Sequence, residues 1–98
     1  MARQIVWSRT SQQDLRSLVR YISRDSPVRA EQFGYKIISK VELLQQHPDL
    51  GRVVPEFKQV HLRELIVGPY RIIYRLQQFS ESIEIVRIWH AARNTPDI

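Results

Sequence analysis

Between Gln46 and His61 the apolar residues of this chain change their spacing, and that change limits the folds open to it. Before it, Leu15, Leu18, Val19 and Ile22 stand at i, i+3, i+4 and i+7. Ala30, Phe33, Ile37, Val41 and Leu44 then repeat at steps of three and four, with Ile38 alongside. Such steps gather side chains on one face of a helix. After it the period becomes two. Ile72, Tyr74 and Leu76 share one face of a strand, and Arg71, Ile73 and Arg75 share the other. Helices first and strands afterwards specify an α+β domain, with the helices packed on one sheet face.

The breakers divide the chain further. Thr10 or Ser11 can cap the first helix, with Gln13 or Asp14 three residues on. Asp25-Ser26-Pro27 ends that helix and starts the next, Ser26 as N-cap and Pro27 at the first helical position. The second helix is predicted from Pro27 to about Gln46, where His47-Pro48 stops it. So short a link implies an antiparallel helical hairpin. Its expected core is Leu18, Ile22, Phe33, Ile37 and Val41, and Gly34 suits close approach to the first helix.

Arg3 to Trp7 reads as a strand ahead of the hairpin, and Asp49 to Phe57 as a loop broken by Gly51 and Pro55. Strands are predicted at His61 to Val67, Tyr70 to Leu76 and Ile83 to His90. Gly68-Pro69 and the polar Gln77 to Ser82 separate them, and Pro96 argues against pairing in the tail from Ala91. Short turns imply an antiparallel meander, which the first strand must join. One domain over residues 1–98 is expected, because a chain this long buries roughly 60% of its unfolded surface in a single core.

Charge narrows the function classes. Fifteen basic residues face ten acidic ones, a net +5, and twelve of the fifteen are Arg. Excess Arg suits bidentate contact with phosphate or carboxylate, so a nucleic acid or an acidic protein is the expected partner. There is no cysteine and no apolar run near the ~20 residues of a membrane span, so a cytoplasmic protein is expected. His47, His61 and His90 lack metal-ligand spacing, and neither a phosphate-binding loop nor a dinucleotide fingerprint occurs. No metal or cofactor is expected.

What remains is a basic, aromatic-bearing sheet. Arg63, Arg71, Arg75 and Arg87 fall on strands, interleaved with Tyr70, Tyr74 and Trp89. Unpaired guanidinium groups are costly to bury, so one sheet face must be open or meet a partner. Arginines beside aromatics suit RNA phosphates and stacked bases. Pairing with Glu64 and Glu84 on a solvated face is the alternative. His90, followed by Ala91-Ala92-Arg93, could act as general acid or base with Arg93 beside it. Its parity matches Val86 and Ile88, not Arg87 and Trp89. A bulge or a twist would be needed to bring it to the Arg87 face.

Four phrases carry a family resemblance: Gly51-Arg52-Val53-Val54-Pro55-Glu56, Leu62-Arg63-Glu64-Leu65-Ile66-Val67, Tyr70-Arg71-Ile72-Ile73-Tyr74-Arg75 and Ile88-Trp89-His90-Ala91-Ala92-Arg93. With two helices ahead of a meander, Trp7-Ser8 before the first helix and Asp14-Leu15 within it, the chain resembles the RelE/ParE toxin superfamily. These are toxins of type II toxin–antitoxin modules, some labelled plasmid stabilisation proteins. The resemblance implies a cognate antitoxin, acidic and folding on binding. It also implies one of two actions. RelE-like members cut mRNA, commonly on the ribosome. On that branch Arg71, Glu56 and His90 are the expected catalytic residues of a metal-independent endoribonuclease. Glu56 or His90 would move the protons, and Arg71, with Arg63, Arg75, Arg87, Arg93 and Tyr70, would hold the RNA. ParE-like members instead inhibit DNA gyrase without a ribonuclease centre. The lysine cluster of the ribosome-dependent branch is not evident, Lys58 standing alone. The presence of both Arg71 and His90 puts RNA cleavage first and gyrase second, with an inactive antitoxin-binding relic third.

Overall fold

The computed structural model describes residues 3–98. β1 (Gln4–Trp7) leads into α1 (Arg9–Ser23) and α2 (Pro27–Glu42), and the chain then tightens into a 3-10 turn at Leu43–Gln45. β2 (Arg52–Val53), β3 (Leu62–Val67), β4 (Tyr70–Leu76) and β5 (Ser82–His90) follow. The five strands form one sheet in the order β1-β5-β4-β3-β2. The meander β3-β4-β5 is antiparallel as expected, and β1 joins it in parallel beside β5. The α+β arrangement therefore holds, and the sheet is mixed.

Three local features differ from expectation. The cap of α1 is Ser8, not Thr10 or Ser11. Its hydroxyl accepts from the Ser11 N–H at 3.0 Å and donates to the Val86 carbonyl at 3.0 Å. The cap is thus shared with β5, a tertiary contact that local spacing does not encode. α2 is shorter than predicted, its last turn being the 3-10 segment. Finally, Arg52–Val53 lies inside the expected loop yet pairs with Glu64 and Arg63 of β3. By contrast Ser26 caps α2, with Pro27 in the first turn, as read from sequence.

The hairpin covers one face of the sheet. Leu18, Ile37, Val41 and Leu44 pack there on Leu65, Val67, Ile72, Tyr74, Ile83, Ile85 and Ile88. Of the predicted hairpin core, Leu18, Ile37 and Val41 are buried, but Ile22 and Phe33 are half-buried because they border a cleft. Gly34 is buried, and a Cβ there would sit 3.4 Å from Val19, an ordinary contact, so the helices do not require glycine. Gly51 is different. A Cβ would lie 2.5 Å from the Glu64 carbonyl oxygen, and its N–H donates to the Tyr74 hydroxyl at 2.8 Å.

The other face is not the open platform expected. Val54, Leu62, Ile73, Val86 and Trp89 form a second cluster there, joined by Phe57 from the loop after β2. The tail also returns to this face, where the Trp89 indole N–H donates to the Asn94 carbonyl.

Candidate functional site

Alternation along β4 and β5 sorts the predicted site residues onto two faces. Tyr70 pairs across the strands with His90, and Arg71 with Trp89. A bulge does occur in β5. Ile73 faces Arg87 and Tyr74 faces Ile85, which leaves Val86 without a partner. It lies before Arg87, so it shifts Ile83 and Ile85 relative to Ile88 and leaves His90 out of phase with Arg87. The condition for bringing His90 to the Arg87 face is not met. His90 and Arg71 stand on opposite sides of the sheet, and the expected trio is split.

On the far face Arg71 and Glu56 do come together. Arg71 Nη1 and Nη2 donate to the two Glu56 carboxylate oxygens at 2.7 and 2.6 Å, and its Nε donates to Glu64 at 2.7 Å. Glu64 is fully buried and also accepts from Arg52 at 2.7 Å. The Arg71 side chain keeps only 9% of its exposure. Its guanidinium holds the Glu56 carboxyl down at about 2, against an ordinary 4.5. The same contact, with Glu64, pushes Arg71 above its usual value. Burial in water-poor surroundings demands such pairing, since a lone guanidinium here would lose its hydration unreplaced.

The remaining far-face cations are also engaged. Arg75 donates to Glu84 at 2.9 Å. Arg87 donates to both Asp14 oxygens at 2.9 and 3.1 Å, and this contact raises its pKa. Asp14 accepts the Ile88 N–H as well, so α1 satisfies the strand edge where β1 ends. Arg93 lies 3.7 Å from the centre of the Trp89 ring, with Arg87 at 4.9 Å, so the indole carries cation–π contacts from both. Arg63 lies opposite Tyr74 and so belongs to the helix-covered face, at whose edge it reaches back to the Gly51 and Val60 carbonyls and props the loop. Cross-strand pairing with Glu64 and Glu84 is therefore what Arg71 and Arg75 do, in the first case in a buried setting.

Tyr70 and His90 sit on the helix side. Their rings meet edge to face at 5.2 Å, and Phe33 lies 5.7 Å from Tyr70. His90 Nδ1 accepts the Ala92 N–H at 3.1 Å, which leaves Nε2 as the ring's other polar atom. Burial pushes the Tyr70 phenol up. These rings line a cleft of about 590 Å³ with Tyr21, Ile22 and Pro69, and Arg29 and Lys36 stand among its lining residues. Sequence reading missed this cleft, because Ile22 and Phe33 look like core residues until the sheet end beside them is placed. Among the described residues no three His, Asp or Glu side chains gather as a metal ion needs.

A helical hairpin on a mixed five-stranded sheet is the fold of type II toxins of the RelE/ParE superfamily. The solved structures with this fold include the chromosomal ParDE system of P. aeruginosa. It matches with a TM-score of 0.73 and 24% identity over 91% of this chain and 96% of that one. The RelBE2 toxin–antitoxin complex of Mycobacterium tuberculosis matches with a TM-score of 0.57 and 18% identity over 92% and 99%. In sequence the chain is 33% identical over 90 residues to toxin RelE2 of Caulobacter vibrioides, covering 92% of this chain and 97% of that protein. It is 31% identical over 83 residues to toxin RelE3 of the same organism, covering 83% and 86%. The family described as "ParE toxin of type II toxin-antitoxin system, parDE" matches residues 5–95. The chain belongs to this family and is the toxin of a type II toxin–antitoxin system.

Proposed function

We propose that this toxin acts by binding DNA gyrase in the cytoplasm and not by cutting RNA, and that an acidic antitoxin segment silences it. The observation that carries the first part is the double clamp on Arg71. A ribonuclease needs a guanidinium free to meet the equatorial oxygens of a phosphorane. Here Nε, Nη1 and Nη2 are already donated to Glu64 and Glu56. Glu56, with its carboxyl at about 2, is too weak a base to take a ribose proton at neutral pH. His90, the other proton carrier of the ribonuclease reading, is across the sheet. The ribonuclease reading, with mRNA and the ribosome as partners, thus lacks an assembled centre, and the gyrase reading needs none.

The cleft supports the second part. Its apolar floor suits the buried side of an amphipathic segment, and Arg29 and Lys36 favour acidic flanks. Such an antitoxin segment, disordered when free, folds as it docks, and part of its affinity falls with salt.

Purified chain should inhibit gyrase supercoiling and leave mRNA intact, with or without ribosomes. Arg71→Ala, expressed at a matched level, should keep whatever toxicity its stability allows. mRNA cleavage that vanishes in Arg71→Ala would restore the ribonuclease reading and require Glu56 to leave Arg71 during turnover.

A further inference from the structure

The five arginines on or beside the sheet from Arg52 to Arg87 are held by carboxylates or carbonyl oxygens, and Arg93 lies over Trp89. Among the described residues the arginine side chains of α1 have no carboxylate or carbonyl partner, and Arg24 alone lies near a ring, that of Tyr21. Arg9, Arg16 and Arg20 lie on α1, Arg24 is its C-cap, and all four are exposed. Among the described residues none of them forms an ion pair. Asp14, the one acidic residue of α1, faces Arg87 instead.

Helical spacing places these four on a single ridge. Steps of seven, four and four residues keep them within one side of the helix, opposite Leu15, Leu18 and Ile22. At about 1.5 Å per residue the ridge is roughly 22 Å long, and Arg16 to Arg24 spans about 12 Å. α2 shows what an ordinary solvated face looks like in the same molecule. Its exposed charges mix both signs, Glu31 and Glu42 among Arg29, Lys36 and Lys40, and Lys36 and Lys40 are its single i,i+4 like-charge pair. On α1, Arg16, Arg20 and Arg24 are successive i,i+4 like charges, which destabilise a helix. A helix that keeps such a row against its own stability has a use for it.

We infer that this ridge binds the phosphate backbone of duplex DNA, independently of sequence. The roughly 12 Å between Arg16 and Arg24 matches the width of the major groove, so the two ends can meet phosphates on its opposite walls. Gln13 and Ser17 flank the ridge as neutral hydrogen-bonding groups. Single-stranded RNA is the poorer fit. It is gripped by stacking on aromatic rings, and the only aromatic side chain of α1, Tyr21, lines the cleft with Arg24 lying 5.8 Å from its ring centre. The inference extends the gyrase reading, since it lets the toxin hold the DNA that its target works on.

The test uses the whole purified chain and a labelled 30-base-pair duplex, with single-stranded RNA of the same sequence as comparison, from 50 to 200 mM salt. Arg16→Gln combined with Arg20→Gln removes two ridge charges. Lys40→Gln combined with Lys58→Gln removes two charges elsewhere. The ridge variant should lower the slope of log affinity against log salt by about 1.8, at about 0.9 per phosphate contact. It should also weaken duplex binding about tenfold or more at 100 mM salt, while melting temperature stays unchanged and the lysine variant binds as the native chain does. Equal weakening in both variants, preference for the RNA, or no duplex binding at 50 mM salt would each overturn the ridge. So would a ridge variant that loses capture of its antitoxin and keeps the duplex. Gyrase inhibition is scored in parallel. Inhibition without DNA binding removes only the ridge, and DNA binding without inhibition removes only the gyrase reading.

Discussion

On the helix-covered face, β4 presents Ile72 and Tyr74 to Ile37, Val41 and Leu44. On the far face the same strand presents Arg71 and Arg75 to Glu64, Glu56 and Glu84. The first face is held by apolar area removed from water, which tolerates small shifts. The second is held by charges whose removal from water is costly and is offset only by close, directed contacts. Glu64 shows how strict that is, since it has no exposure and serves two guanidinium groups. The lesson is that a row of arginines on a strand does not by itself announce a ligand site. Carboxylates at matching cross-strand positions can satisfy it internally.

If that contrast is right, the largest stability loss comes from Glu64→Ala. It strips one acceptor from Arg71 and, among the described residues, the only side-chain acceptor from Arg52, and should cost about 3–5 kcal/mol in urea unfolding. Replacing Glu64 and Arg71 together by Leu and Met should cost less than Glu64→Ala alone, because the charges left without partners, Arg52 and Glu56, both reach water. A loss below about 1 kcal/mol for Glu64→Ala would mean that water reaches the network. Ile37→Ala tests the other face. Ile37 has no exposure, and the cavity left should cost about 2–5 kcal/mol. The double replacement that rescues the far face has no counterpart here, because removing a second core side chain enlarges the cavity.

Acid should separate the faces next. Glu56 has its pKa depressed from 4.5 to about 2 by the Arg71 guanidinium. A depressed carboxyl adds stability that is fully present above its unfolded value and is lost as pH falls through the folded one. The loss attributable to Glu56 therefore falls between about pH 4.5 and pH 2. With the carboxylate side chain 31% exposed, solvent screening brings the effect to about 1–2 kcal/mol. Glu56→Gln should be less stable than the native chain at pH 7 and should close the gap toward pH 2. A constant difference across that range would detach Glu56 from the network.

The sequence carried the hairpin, the meander and the Ser26-Pro27 boundary because each rests on local spacing or local capping. It did not carry the Ser8 cap, whose second partner is Val86, or the Asp14–Arg87 pair, whose members are 73 residues apart. Arg71 was legible as a residue of consequence, but not its partners. Glu56 reaches it from a loop 15 residues earlier, and only the fold shows that this loop crosses the far face. The His90 problem was legible as a parity conflict. Locating the bulge at Val86 needed the register of β4 against β5.

The smallest expected effect is discriminating, because it sets an exposed ion pair against a buried one on the same sheet face. Arg75 and Glu84 are cross-strand partners at 2.9 Å, Arg75 on the same strand and face as Arg71 and Glu84 on β5, where Glu64 is on β3. They differ from the Arg71 network in exposure, at 40% and 32% of their side-chain surface. Water therefore screens the pair and can replace either partner. Arg75→Ala, Glu84→Ala and the double variant should give a coupling of about 0.2–1 kcal/mol, falling further in high salt. The Arg71–Glu64 cycle should give several times more and respond little to salt, since ions do not reach a fully buried carboxylate. A coupling at Arg75–Glu84 as large as at Arg71–Glu64 would show that strand geometry, and not burial, sets the strength of these pairs. The far face would then be a uniform lattice of ion pairs, and Arg71 would lose its special place in it.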